Sequence, residues 1–202
     1  MSETSIAQQK EALRELALEA RNGIDPIERL ALAEKIHTHL YDVPEFRDAA
    51  SVALYWSAGS QVLTVSLAIK LWEEEQRRIF LPFVRNGALQ ITEWRTADPV
   101  VDAPYGGMQP RYSRPVPLEE VDVILVPGLA FDARGARLGS GTGHYDRLLA
   151  RMDLRTTRIG LGFGLQLIDA VPVEAHDQPV HAVVTDLGAV ICSSTATDSR
   201  TH

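Results

Sequence analysis

Apolar positions along the chain recur alternately with a period near 3.6 and a period near 2, which predicts helices and strands in turn. Over the first twenty-odd residues Leu13, Leu16, Ala17 and Ala20 fall at helical spacing, predicting one apolar stripe. Lys10, Arg14 and Arg21 share another face of that helix, and Asn22 and Gly23 stop it. Asp25 caps a second helix, with Pro26 at its first position and Glu28 reaching back as in a capping box, and the pattern runs to about Leu40. A short strand follows over 51–56. A helix is predicted over 62–75, with Val62, Val65, Ala68, Ile69 and Trp72 on its stripe. Strands over 78–84 and 88–94 come next.

Residues 96–117 hold five prolines and two glycines and predict an irregular functional loop. The run 121–126 (VDVILV) is apolar enough to be the centre of a sheet. A glycine-rich loop over 128–143, a helix over 145–152 and strands over 158–161, 182–185 and 189–191 complete the reading. Strands separated by helices predict an α/β fold: three layers, α/β/α, with a mostly parallel sheet covered on both faces. One domain over 1–192 and a flexible tail over 193–202 are expected.

Composition narrows the function. Lysine and arginine number 20 against 27 acids, a net charge of −7, so the basic face that phosphate backbones require is missing and no nucleic-acid partner is expected. The lone Cys192 excludes an intramolecular disulfide and a cysteine-based zinc site. No apolar run approaches the roughly 20 residues that span a bilayer, and the amino terminus lacks the pattern of a signal peptide. A cytoplasmic monomer without membrane attachment is the expectation.

Ligands of open α/β sheets sit beyond the carboxyl ends of the strands, so the segment after 121–126 carries the chemistry. There Gly139, Gly141 and Gly143 alternate just before a helix. Such spacing lets backbone N–H groups face one concavity, to which a helix N-terminus adds positive potential. Arg137 offers a fork for phosphate oxygens, and Asp146 a carboxylate for a divalent cation. A P-loop is excluded because His144 and Tyr145, not Lys and Ser/Thr, follow the last glycine. A Rossmann fingerprint is excluded because 127–138 separate the strand from the first glycine. On spacing alone, a phosphate site and a plain tight turn fit equally well.

The run LVPGLAFDARGARLGSGTGHYDRLL resembles the signature PGxAFDxxGxRLGxGxGYYDRxL of the 5-formyltetrahydrofolate cyclo-ligases. Lys10 and Arg14 are similar to that family's K-x-x-x-R, Tyr105–Pro110 (YGGMQP) to its G-x-x-E-P, and Pro172–Asp177 (PVEAHD) to its late P-V-x-x-x-D. The resemblance runs from about residue 10 to 186. It implies a fold of the NagB/RpiA/CoA-transferase type and a site for ATP, Mg²⁺ and a reduced folate. It further implies that Lys10, Arg14 and the run Arg137, Leu138, Gly139, Ser140, Gly141, Thr142, Gly143, His144 and Tyr145 hold ATP. Trp56, Gln61, Tyr105, Gly141, Thr142 and His144 then contact the folate, Asp146 and Asp177 hold Mg²⁺, and Arg137 and Tyr145 act in catalysis.

The chemistry fits those parts. A formyl oxygen is a poor leaving group until ATP phosphorylates it, after which N10 can close the ring and phosphate can depart. Phosphoryl transfer asks the protein mainly to position and neutralise. The sequence departs from the family at Gln61 and Gln109, where Glu is usual, at Phe83, where arginine is common, and at Thr142 and His144. Two alternatives therefore accompany the enzyme reading. One is a nucleotide- or folate-binding paralogue without turnover, and the other a sugar-phosphate or CoA-transferase relative that shares only the fold.

Overall fold

The computed structural model describes residues 5–104 and 106–193; Tyr105 and all of the expected tail except Ser193 lie outside the described residues. Helices α1 (Ile6–Asn22), α2 (Pro26–Leu40) and α3 (Pro44–Arg47) lead into β1 (Ser51–Ala53), α4 (Val65–Glu73), β2 (Arg78–Arg85) and β3 (Ala88–Trp94). Next come β4 (Val100–Asp102), β5 (Met108–Pro110), β6 (Val123–Pro127), β7 (Ala130–Phe131) and β8 (Arg137–Leu138). Then α5 (His144–Leu149), β9 (Thr157–Leu161), β10 (Ala182–Thr185) and β11 (Gly188–Ile191) complete the chain. Seven strands form the main sheet in the order β11-β10-β9-β6-β1-β2-β3, with β6 at its centre as predicted. The five inner strands run parallel, and β3 and β11 add antiparallel edges.

Side chains alternate across the sheet with the strand period of two. Val52, Ile79, Val123, Leu125, Ile159 and Val184 join one core with α2, α3 and α4. Ala53, Phe80, Ile124, Val126 and Val183 join a second core with Leu148 and Leu149 of α5. That arrangement is the three-layer α/β fold expected from the sequence.

Several local expectations change. In α1 the face turned inward carries Lys10, Leu13, Arg14, Ala17 and Arg21, while Leu16 is 64% exposed and Ala20 is also exposed. Leu13 and Ala17 pack on a small core of Leu129, Ala130, Leu138 and Val171. The cationic face thus faces protein, because carboxylates and carbonyls far along the chain receive it. Ser5 and Gln8 form a capping box at the start of α1, an S-x-x-Q signal present in the sequence. At α2 the Asp25 carboxylate accepts from the N–H groups of Ile27 and Glu28, as an N-cap should, with no reciprocal bond from Glu28. Helix α4 begins at Val65 rather than at 62, because Tyr55 Oη donates to Val62 O and Thr64 Oγ1 donates to Tyr55 O, closing 55–64 into a loop. Residues 96–117 are not wholly irregular: β4 and β5 pair as an antiparallel ribbon. The glycine-rich stretch likewise contains a hairpin, β7 with β8.

That hairpin is tied down by Asp132, whose side chain is fully buried. It accepts from the backbone N–H groups of Arg134, Ala136 and Val171 and from the Arg134 guanidinium. Burial pushes its carboxyl upward, but the Arg134 guanidinium and the three N–H groups outweigh burial and hold it below the usual range. Asp132→Ala strands those donors and is expected to cost about 3 kcal/mol of stability in urea unfolding at neutral pH. In the wild type, the same contribution is present above the ordinary carboxylate pKa and is lost as pH falls through the depressed one.

Candidate functional site

Strand β1 stops at Ala53, whereas its neighbour β2 continues to Arg85, so the sheet has a step beyond the carboxyl end of β1. Pro82 lies in this overhang, past the last β1 partner at Phe80, where its missing N–H breaks no ladder on that side. A cleft of about 340 Å³ opens there. Its walls come from α1, the loop after β1, β2, the β4–β5 ribbon, residues 137–146 and residues 174–177.

The candidate residues from the sequence converge on it. Lys10, Arg14, Trp56, Gln61, Arg137, Leu138, Gly139, Ser140, Gly141, Thr142, Gly143, His144, Tyr145, Asp146 and Asp177 all line this one cleft. Tyr105 lies outside the described residues, although its neighbours Gly106 and Met108 face the same space.

The glycine loop has an unusual surround. Gly141 has φ +99° and Gly143 φ +64°, both in the region that favours glycine. A Cβ on Gly139 would meet Arg137 Nη1 at 2.8 Å, on Gly141 Arg14 Cζ at 3.5 Å, and on Gly143 Arg147 Nη1 at 2.9 Å. Three guanidinium groups therefore pack against three glycines, each in space that any larger residue would fill. Arg14 Nε also donates to Gly139 O at 3.1 Å, fixing α1 against the loop.

Arg137 differs from the open fork its position suggests. Its side chain is buried, Nη2 donates to Asp146 Oδ1 at 2.7 Å and Nη1 to Pro127 O at 3.3 Å. Its Nε is buried without a hydrogen-bond partner among the described residues. Asp146 Oδ1 also accepts from the N–H of Gln178, so the loop and the 174–178 segment share one carboxylate. Tyr145 stacks its ring 6.0 Å from the Arg137 Cζ, and burial pushes its hydroxyl above the usual range, so it stays protonated at neutral pH.

At one end of α1, Lys10 Nζ donates to Asp177 Oδ2 at 2.5 Å and to Glu174 Oε2 at 2.8 Å. Burial acts downward on the Lys10 ammonium, but the bonds to Asp177 and Glu174 prevail and raise its pKa. Asp177 moves the other way: burial acts upward, and Lys10 with the Glu174 N–H holds it below the usual range. At the far end Arg21 Nε donates to Ser60 Oγ, and Ser60 in turn donates to Asn22 Oδ1. Burial lowers the Arg21 pKa, yet a guanidinium remains charged at any pH at which the protein folds.

Glu174 and His176 are not among the residues that the sequence assigns to the site, yet both line the cleft. Their donor atoms and that of Asp177 lie within 4.8 Å of one another. The signal was available: a buried Lys10 needs counter-charges, and 172–177 (PVEAHD) supplies two. Arg147, beside Gly143, was likewise read only as part of the motif.

The profile of the 5-formyltetrahydrofolate cyclo-ligase family matches residues 6–186. The chain belongs to the 5-formyltetrahydrofolate cyclo-ligase family. Among curated relatives, the Mycolicibacterium smegmatis 5-formyltetrahydrofolate cyclo-ligase is 32% identical over 193 residues, covering 90% of this chain and 96% of that one. The Escherichia coli (strain K12) 5-formyltetrahydrofolate cyclo-ligase is 30% identical over 171 residues, covering 82% and 93%. The solved structure of Aquifex aeolicus 5,10-methenyltetrahydrofolate synthetase superposes with a TM-score of 0.80 at 31% identity, covering 96% of this chain and 99% of that one. This cyclo-ligase therefore has the fold of a methenyltetrahydrofolate synthetase along nearly its whole length. The family implies ATP as co-substrate. Among the described residues no helix is long and apolar enough to cross a membrane.

Proposed function

We propose that this cyclo-ligase uses ATP to convert 5-formyltetrahydrofolate into 5,10-methenyltetrahydrofolate, ADP and phosphate within the single cleft. The observation that carries the reading is the meeting of the glycine loop, Lys10, the guanidinium groups of Arg14, Arg21 and Arg137, and the carboxylates of Asp146, Glu174 and Asp177 around one space. In this reading the triphosphate lies along Gly139–Gly143, held by backbone N–H groups and by Arg14 and Lys10. The formyl oxygen attacks the γ-phosphorus and ADP leaves. The folate N10 then attacks the activated formyl carbon and loses its proton to water, and phosphate departs with the former formyl oxygen. Arg137 and the Tyr145 hydroxyl supply positive charge and a donor where the phosphoryl oxygens gather charge. Arg137 also orients Asp146.

The donor set suits Mg²⁺, which binds through one or two carboxylates and keeps its other positions for water and phosphate oxygens. Asp146 and Asp177 are the carboxylates assigned to it, with Glu174 beside Asp177, and the ion would neutralise phosphate charge. Trp56, Gln61 and the ribbon that carries Tyr105 form the folate side, with Gly141, Thr142 and His144 between the two ligands. A monomer in the cytoplasm, without a nucleic-acid or membrane partner, completes the reading and agrees with the acidic balance of the chain.

Purified protein with Mg-ATP and 5-formyltetrahydrofolate is expected to develop the near-ultraviolet absorbance of the methenyl product. Folded protein that gives no such signal at any substrate level overturns the reading. Asp146→Ala is expected to raise the Mg-ATP requirement at least about tenfold, and its stability is expected to fall by about 3 kcal/mol because the buried Arg137 guanidinium and the Gln178 N–H lose their acceptor. Unchanged Mg-ATP use with a large loss of stability would instead make Asp146 a structural residue.

A further inference from the structure

Two glutamine side chains in the cleft are held in one defined orientation. Gln61 Oε1 accepts from the N–H of Ala58 at 2.8 Å, and Gln109 Oε1 accepts from the N–H of Val84 at 3.0 Å. A backbone N–H can only donate, so it fixes which end of each amide is oxygen. Both Nε2 groups are therefore the unengaged ends: neither has a hydrogen-bond partner among the described residues, and both residues line the cleft. The two lie on adjoining walls, because the turn between β4 and β5 packs on the loop after β1. A Cβ on Gly107 would meet Trp56 O at 2.9 Å and the Ala58 side chain at 3.4 Å.

Their place along the cleft is set by α1. Lys10 meets Asp177 and Glu174 at one end, and Arg21 meets Ser60, the neighbour of Gln61, at the other. Eleven residues of helix separate these ends by about 16 Å. The amide pair thus lies at the end of the cleft away from Lys10, Glu174 and Asp177, on a wall shared with Trp56 and Phe83.

We infer that Gln61 and Gln109 are specificity-determining residues that read the pterin ring through its carbonyl oxygen, with both amides acting as donors. The inference deepens the proposed function and rests on that reading for the identity of the ligand. A reduced pterin offers amine and ring N–H donors on part of its edge and one amide-type carbonyl acceptor. Two outward NH₂ groups match the carbonyl and repel nothing there, whereas the amine edge would face donors with donors. Glutamate at either position keeps the backbone N–H bond through one oxygen and turns the outward group from donor into charged acceptor.

The test compares folate with its 4-amino analogue, in which the ring carbonyl becomes an amine, using quenching of tryptophan fluorescence. Wild-type protein is expected to bind folate at least about tenfold more tightly than the analogue, and the Gln61→Glu/Gln109→Glu variant to lose or reverse that preference. The KM for ATP is expected to be the same in both, and thermal unfolding confirms that the variant is folded. Each single variant is expected to shift the preference part-way. An equal preference in wild type and double variant, or tighter folate binding and faster turnover by the double variant, overturns the inference. Neither result touches the proposed function, which fails only if the wild type forms no methenyl product.

Discussion

Replacing Gly141 with valine is expected to weaken Mg-ADP binding by at least about 100-fold while shifting the thermal midpoint by only about 5 °C. Gly141 is exposed and has φ +99°, so a branched side chain forces the backbone out of its turn without emptying any core. A Cβ there would already be in contact with the Arg14 guanidinium at 3.5 Å, so the methyl groups of valine beyond it add bulk against a side chain that is tied to Gly139 O. Backbone N–H groups would then no longer point into one concavity, and Arg14 would leave the place where phosphate oxygens are expected. Titration calorimetry with Mg-ADP measures the loss. Gly141→Ala separates the two causes: it shares the backbone strain but adds less bulk. Binding close to that of the wild type in both variants would remove the glycine loop from the nucleotide site.

Lys10→Met is expected to lower kcat/KM for ATP by roughly 30- to 150-fold, the range of a lost charge-assisted contact of about 2–3 kcal/mol. Methionine retains the length of the stem and its packing, so the change isolates the charge. Without the ammonium, Asp177 and Glu174 lose their protein counter-charge, and the Mg²⁺ assigned to Asp177 is left alone to offset them against the bound phosphates. The pH dependence has a definite sign. Asp177 is held below its ordinary pKa, so its contribution is present above about pH 4 and is lost as pH falls through the depressed value. Lys10 is raised, so its contribution is present below about pH 10 and is lost as pH rises through the raised value. The wild-type KM for ATP is therefore expected to be flat across the neutral range and to rise on the acid side only at low pH. In Lys10→Met the acid limb is expected to begin at higher pH, because Asp177 has lost the cation that holds its carboxyl down. A KM for ATP unchanged by Lys10→Met would show that the ammonium serves the fold alone.

How far the sequence reaches differs between these elements. The central strand is legible because an unbroken apolar run can only be buried on both faces, and β6 is indeed the middle of the sheet. The glycine loop is legible because its spacing has a local backbone meaning. The inward face of α1 is not, since periodicity counts apolar residues and cannot see that Lys10 is received by Glu174 and Asp177 more than 160 positions away. Without those partners Leu16 would belong inside and the arginines outside. The β4–β5 ribbon was hidden by prolines, although Pro110 sits at its end where a missing N–H is tolerated. For Arg137 the motif located the side chain but not its partners. The fold brings Asp146 and Pro127 O to its guanidinium, and no local pattern announces that. The donor ends of Gln61 and Gln109 were beyond sequence reasoning too, because backbone N–H groups of other segments decide which way each amide turns.

The most direct measurement follows the fate of one oxygen atom. 5-Formyltetrahydrofolate carrying heavy oxygen in its formyl group, turned over with unlabelled Mg-ATP, is predicted to deliver that label into the released inorganic phosphate, one atom per methenyl product formed. Label recovered in water, with phosphate remaining light, would contradict a route in which the γ-phosphoryl group is passed to the formyl oxygen inside this cleft.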